Sequence, residues 1–153
     1  MKALSVRQPW ALEINDGLKT LEFRTWKTEH RGPLLICASS HDSGLWIDAE
    51  DNGKTFPVPL PTGCMMCVVN LVHIRASTAA DAEEYGFDHA PTLLAWELEG
   101  AYAVMPKPIK GKLHLFDVPD QDIVRLAEGD DWVNYDYPNR HKKPPRNLAL
   151  IDE

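Results

Sequence analysis

The sequence predicts an α+β fold, a small mixed β-barrel decorated by short helices. Three observations predict it. The chain has 153 residues, about the length of one domain, so residues 1–153 are expected to form a single unit. It holds five to seven short strand-like runs and two to four short helical ones. No regular crossover helix separates successive strands, which argues against a doubly wound parallel sheet. Apolar residues make up 44% of the chain and charged residues 25%, which excludes wholesale disorder.

Residues 2–6 alternate and predict a first strand. Arg7-Gln8-Pro9-Trp10 breaks it, and Pro9 suits the first turn of a helix with Trp10, Ile14 and Leu18 along one face. Asn15-Asp16-Gly17 ends that helix, and residues 20–23 are extended. Residues 33–38 form a continuous apolar run, the pattern of a buried strand. Residues 40–63 hold Gly44, Gly53, Pro57, Pro59 and Pro61 and are expected to form a long loop with at most one turn near Trp46. Residues 64–74 give the strongest strand, and residues 77–86 a short acidic helix. Residues 93–104 give one or two strands bent near Gly100, residues 112–116 another, and residues 119–127 a closing helix with an acidic start. A basic, proline-rich segment at about 135–147 reads as an irregular tail, followed by a last short strand at 147–151.

Sixteen Lys and Arg against 23 Asp and Glu leave a net charge of −7. The charge is uneven: residues 1–40 carry +2, residues 41–105 carry −8 and residues 106–153 carry −1. An acidic whole makes long duplex DNA an unlikely partner, because duplex binding rewards many basic contacts. It leaves room for a small basic cleft, since charge is screened within about 8–10 Å. No stretch reaches the ~20 apolar residues that span a bilayer, so no membrane association is expected. Charge returns at Arg7 before a leader can develop, and three cysteines is an odd, low count, so the expected location is cytoplasmic.

The N-terminal region carries the densest chemistry. On a strand spanning 20–24, Thr20, Glu22 and Arg24 share one face. Lys19 sits where helix gives way to strand, and Arg7 and Gln8 follow the first strand toward the same mouth. Arg suits phosphate or carboxylate, and Glu22 suits a base amine or proton acceptance. Trp10 and Trp26 offer stacking faces for a nucleobase. The same residues also suit a surface ion pair and two core tryptophans.

Leu4-Ser5-Val6-Arg7-Gln8-Pro9-Trp10, Gly17-Leu18-Lys19-Thr20-Leu21-Glu22-Phe23-Arg24 and Arg31-Gly32-Pro33-Leu34-Leu35-Ile36 resemble the opening of the ASCH domain family, relatives of the PUA fold. Gly17, Lys19, Glu22 and Arg24 fit the family's Gly-x-Lys-x-x-Glu-x-Arg pattern, and Trp96 and Lys110-Gly111-Lys112 look like its later strands. The resemblance implies a PUA-like β-barrel, RNA or nucleotide ligands in a cleft around the motif and, in some members, hydrolysis. One branch hydrolyses the acetyl amide of N4-acetylcytidine with a Lys in this motif, a Thr three residues later and a downstream Glu. Lys19 matches that Lys, whereas Glu22 stands at the Thr position and no downstream Glu is carried over.

Three other features complete the set. Cys64-Met65-Met66-Cys67 has the spacing of a zinc or redox pair, but on a regular strand its thiols face opposite sides, and cysteine packs well as a small hydrophobe. Arg140, Lys142, Lys143 and Arg146 interleave with Tyr135 and Tyr137 and suit single-stranded nucleic acid, or a solvated extension. The six histidines show no short metal spacing, and His41 in the expected loop is the one most worth testing. There is no Gly-rich phosphate loop, so no cofactor and no metal is expected.

Together these features predict recognition of RNA or a nucleotide around Arg7, Gln8, Trp10, Thr20, Arg24 and Trp26. Two alternatives stand beside it. One is a hydrolase of a modified nucleoside or single-stranded RNA, with Lys19 and Glu22 as its catalytic pair. The other is a non-catalytic domain with a protein partner.

Overall fold

The computed structural model describes residues 1–148 and 150. Its main sheet is a curled six-stranded half-barrel. The strands are β1 (Lys2–Val6), β2 (Leu21–Arg24), β3 (Gly32–Ala38), β6 (Cys64–Ala76), β7 (Leu94–Ala103) and β8 (Phe116–Asp117), in the order β2-β7-β6-β3-β1-β8. Between β3 and β6 lies a separate ribbon of β4 (Trp46–Asp51) and β5 (Lys54–Pro59). Two short helices, α1 (Trp10–Asn15) and α2 (Ala79–Tyr85), decorate the sheet. Among the described residues, no helix is long and apolar enough to cross a membrane.

Among the described residues, β1 and β3 form the one parallel ladder, and every other ladder is antiparallel. The continuous apolar run of β3 reflects burial on both faces. Leu34, Ile36 and Ala38 join the larger core with Trp46, Trp96 and Trp132, while Leu35 and Cys37 join a smaller core with Ala3, Met65 and Phe116. Register shifts between Ile36 and Cys37, and twice along β6–β7, bend the sheet. Gly100 lies at one of them with φ of 64°, a conformation open to glycine.

The first of these shifts corrects the expectation for Cys64 and Cys67. An extra residue near Met66 resets the alternation, so both thiols enter the same core. Cys37, Cys64 and Cys67 are free and buried, and burial pushes the thiols of Cys37 and Cys64 up to about 12. Such thiols stay protonated and inert. Among the described residues, no group of three or more His, Cys, Asp and Glu is arranged to hold a metal ion.

Four other expectations are corrected. Residues 40–63 are not one long loop. Asn52 (φ 51°) and Gly53 (φ 77°) form a tight two-residue turn, and β4 and β5 run back from it. Pro57 and Pro59 are tolerated because the ribbon has only edge strands. The buried face of α1 is Ala11, Leu12 and Ile14, whereas Trp10 is half exposed and Leu18 lies beyond the helix in solvent. Residues 112–116 are not a strand, because Gly111 packs against Ser5 and His114 turns left-handed at φ of 60°, leaving two residues of β8. Residues 119–127 hold only a 3-10 turn, Asp120–Asp122. The β7 end claims the backbone that follows: Leu126 N–H donates to Ala103 O and Arg125 bridges Val104. The expected strand at 147–151 lies partly outside the described residues, and Leu150 makes a single parallel bridge to Trp46.

The segment after Tyr135 lacks regular structure but is strapped down. Tyr137 is buried against Trp132, and its hydroxyl donates to Pro59 O at 2.6 Å. Asn139 donates to Leu60 O at 2.9 Å and accepts from Thr62 N–H at 3.0 Å.

Candidate functional site

The loop from β1 into α1 and the turn from α1 into β2 build one wall of a cleft. Gln8 locks the first. Its side-chain oxygen accepts from Leu12 N–H and its amide donates to Pro61 O, both at 2.9 Å. Gln8 is therefore buried scaffolding rather than part of the cleft lining. The helix end fixes the second: Gly17 adopts φ of 76°, and the N–H groups of Leu18 and Lys19 both donate to Glu13 O. That sets Lys19 at the entrance of β2.

Glu22 Oε1 accepts from Phe23 N–H at 2.9 Å and lies 3.9 Å from Lys19 Nζ. Glu22 Oε2 lies 3.4 Å from Arg24 Nη2, which also donates to Ser5 O at 2.9 Å. Nη1 and Nε of Arg24 have no partner among the described residues. Lys19 is 7% exposed, between the rings of Phe23 (5.1 Å) and Tyr85 (4.9 Å). Burial holds its pKa below the ordinary lysine range, opposed by the charges of Glu22 and Glu13.

The cleft has a volume of about 750 Å³. Its near wall holds Arg7, Trp10, Glu22, Arg24 and Trp26, its end Ser39 and Ser40, and its far wall residues 109–114. Four Lys and Arg side chains line it, Arg7, Arg24, Lys110 and Lys112, against the single carboxylate of Glu22. Gly111 fixes the far wall: a Cβ there would lie 2.6 Å from Ser5 Oγ. Trp26 stands edge-on to Trp96 (4.8 Å) and His114 (4.6 Å) and is half-buried. Trp10 is 48% exposed at the mouth.

The structure therefore brings Arg7, Trp10, Glu22, Arg24 and Trp26 to one cleft. Lys19 backs Glu22 without lining the cleft, and Thr20 is exposed outside it, its N–H donating to Tyr85 Oη at 3.4 Å. His41 also lies outside, and His114 is the histidine at the site. Arg140 is structural: it donates to Val133 O at 2.6 Å and Tyr135 O at 3.1 Å. Lys142 pairs with Asp42, while Lys143 and Arg146 are exposed. Ser39, Ser40, Lys110, Lys112 and His114 escaped the sequence reading as site residues. The Lys110-Gly111-Lys112 run was the available signal, and it belongs to a loop rather than a strand.

Comparisons with known proteins agree on the domain. Activating signal cointegrator 1 of Homo sapiens is 37% identical over 78 residues, which cover 45% of this chain and 13% of that protein. Its Mus musculus counterpart is 33% identical over 78 residues with the same coverage. The chain thus matches only a small part of these relatives. The crystal structure of ASCH from Zymomonas mobilis superposes with a TM-score of 0.55 at 14% identity, covering 79% of this chain and 89% of that one. A mutant of the same protein gives 0.52 at the same identity and coverage. These structures share the fold. The ASCH domain model matches residues 4–112, from within β1 to Lys112 in the far wall of the cleft, and the chain belongs to the ASCH domain family.

Proposed function

We propose that the cleft binds one nucleotide unit, free or within RNA. The observation that carries this reading is the segregation of charge. In a chain of net charge −7, four Lys and Arg side chains converge on a cavity that holds one carboxylate and two indoles. A cavity of about 750 Å³ falls within the range of small-molecule sites. In this reading a base stacks on Trp10, phosphate meets Arg7, Lys110 and Lys112, and Glu22 accepts from an amine on the base edge. Arg24 and Lys19 hold the Glu22 carboxylate in place. Membership of the ASCH family supports an RNA or nucleotide ligand.

The test is calorimetric titration with the four ribonucleoside monophosphates at two salt concentrations, repeated on Trp10→Ala. Binding is expected to weaken with salt, and Trp10→Ala to cost about 1–3 kcal/mol of affinity without a change in Tm. Unaltered affinity in Trp10→Ala, or no heat with any nucleotide, rejects the reading.

A hydrolytic reading has one specific observation in its favour, the depressed pKa of Lys19 behind Glu22. Glu22 would take a proton from the attacking water, and Lys19 would hold that carboxylate in position. Mass analysis of the titrated ligands separates the two readings, because only hydrolysis yields a new product mass.

A further inference from the structure

We propose that the C-terminal strap extends the cleft into a track for a single strand of nucleic acid. One nucleotide occupies the cleft, and the phosphates beyond it run over the Ser39–Ser40 rim to Lys142, Lys143 and Arg146. This inference rests on the nucleotide reading of the cleft.

The geometry that places the strap at the rim is backbone geometry. Asn139 clamps Leu60 O and Thr62 N–H. The next residue, Gly63, donates its N–H to Ala38 O at 2.9 Å and to Ser39 O at 3.2 Å. Ser39 and Ser40 line the cleft, and Asp42, two residues on, pairs with Lys142. The strap therefore leaves its anchor beside the end of the cleft. Residues 137–148 hold four Lys and Arg and no acid. Arg140 Nη1 donates to two carbonyl groups, which ties that side chain to the preceding segment. Lys143 and Arg146 are exposed, with no ion pair among the described residues. Pro144 and Pro145 between them fix two φ angles and stiffen the segment. The Lys142–Asp42 pair is exposed, so a phosphate can replace the carboxylate at little cost. The strap lies beyond residues 4–112, the part that the ASCH domain model matches.

A single strand suits this path better than a duplex. Its phosphates follow scattered cations, and its terminal base is free to enter a cavity. Oligocytidylates of one, two, four, six and eight nucleotides would be titrated against the wild-type chain and a Lys143→Ala/Arg146→Ala variant. Both side chains are exposed, so the variant is expected to keep the wild-type Tm. Wild-type affinity is expected to rise at least tenfold from one to six nucleotides. In the variant, which keeps Lys142, that rise is expected to be much smaller while mononucleotide affinity stays the same. The slope of log K against log salt is expected to fall by about 1.4 for the hexamer, from about 0.7 per lost phosphate contact.

An equal length dependence in both proteins, or none in the wild type, overturns the track while leaving the cleft reading standing. Absence of mononucleotide binding overturns the cleft reading, and the nucleotide-anchored track with it. A hairpin duplex that binds as tightly as the single strand also overturns the track.

Discussion

Two ionic clusters lie on opposite faces of the main sheet, and they differ in how fully their groups are used. Glu22 stands opposite Trp96 and Glu97 opposite Leu21, so the two carboxylates extend to opposite faces of β2–β7. On one face, Arg75 grips Asp81 with two bonds of 2.6 and 3.1 Å and touches Glu97 at 3.4 Å. Asp81 also accepts from Thr78 N–H, and Thr78 Oγ1 accepts from Asp81 N–H, closing a capping box at the start of α2. On the other face, Lys19 and Arg24 approach Glu22 only at 3.9 and 3.4 Å. There the Arg24 donors Nη1 and Nε stay open. The saturated cluster holds the scaffold together. The loose one retains unsatisfied hydrogen-bonding capacity beside a cavity, which is what a ligand needs.

The sharpest way to break this comparison is to remove the saturated carboxylate. Asp81→Ala takes away a two-pronged bond to Arg75 and one arm of the cap. The expected loss is about 2 kcal/mol of stability, reduced from the buried-pair range because Arg75 is partly exposed. Nucleotide affinity should not change. The hydrogen bonds from Arg75 hold the Asp81 carboxyl well below the usual carboxylate range. A depressed acid contributes stability above its unfolded pKa, near 4, and loses it as pH falls toward the folded value. Urea denaturation at pH 7 and pH 3 should therefore show a smaller acid loss in Asp81→Ala than in the wild type. A fall in ligand affinity in this variant would erase the distinction between the clusters.

Glu22→Gln probes the loose cluster. The amide keeps the shape of the side chain and removes its charge. A hydrogen bond to a charged group contributes about 1.5–3 kcal/mol. Affinity for cytidine monophosphate, whose exocyclic amine donates to a carboxylate, should fall about tenfold or more, and Tm should fall as well because the buried Lys19 ammonium loses its counter-charge. Calorimetry on the variant decides it. An unchanged affinity would return Glu22 to the scaffold beside Asp81.

How much of this contrast was legible follows from the range of the interactions. The near wall was readable because strand alternation puts Glu22 and Arg24 on one face, with Lys19 behind them at the entrance of β2. α2 was readable from its local caps, Thr78, Asp81 and Gly86. The far wall was not. Lys110, Lys112 and His114 reach the cleft only because Gly111 packs against Ser5, a contact more than a hundred residues apart. Asn52-Gly53 was a local hairpin signal, but three nearby prolines made the segment resemble a loop. Gln8 and Arg140 look like ligand contacts in sequence. They become scaffold because backbone carbonyls take their donors, the distant Pro61 O for Gln8 and Val133 O in the preceding segment for Arg140.

Lys19→Met is expected to have the smallest effect, and it sharpens the comparison most finely. Burial of an ammonium is unfavourable, while Glu22 and the faces of Phe23 and Tyr85 offset much of that cost. Methionine has similar length and also packs well against rings. Stability should stay within about 1 kcal/mol of the wild type at pH 7, and nucleotide affinity within about twofold, because Lys19 does not line the cleft. The pH dependence carries the sign. A lysine whose folded pKa is depressed binds fewer protons folded than unfolded. Wild-type stability relative to the variant should therefore rise as pH climbs toward the ordinary lysine value of 10.5. Mass analysis with N4-acetylcytidine completes the test. Loss of turnover in a variant that still folds and binds would make Lys19 part of a hydrolytic site. Turnover at the wild-type rate would leave it as the buried support of Glu22.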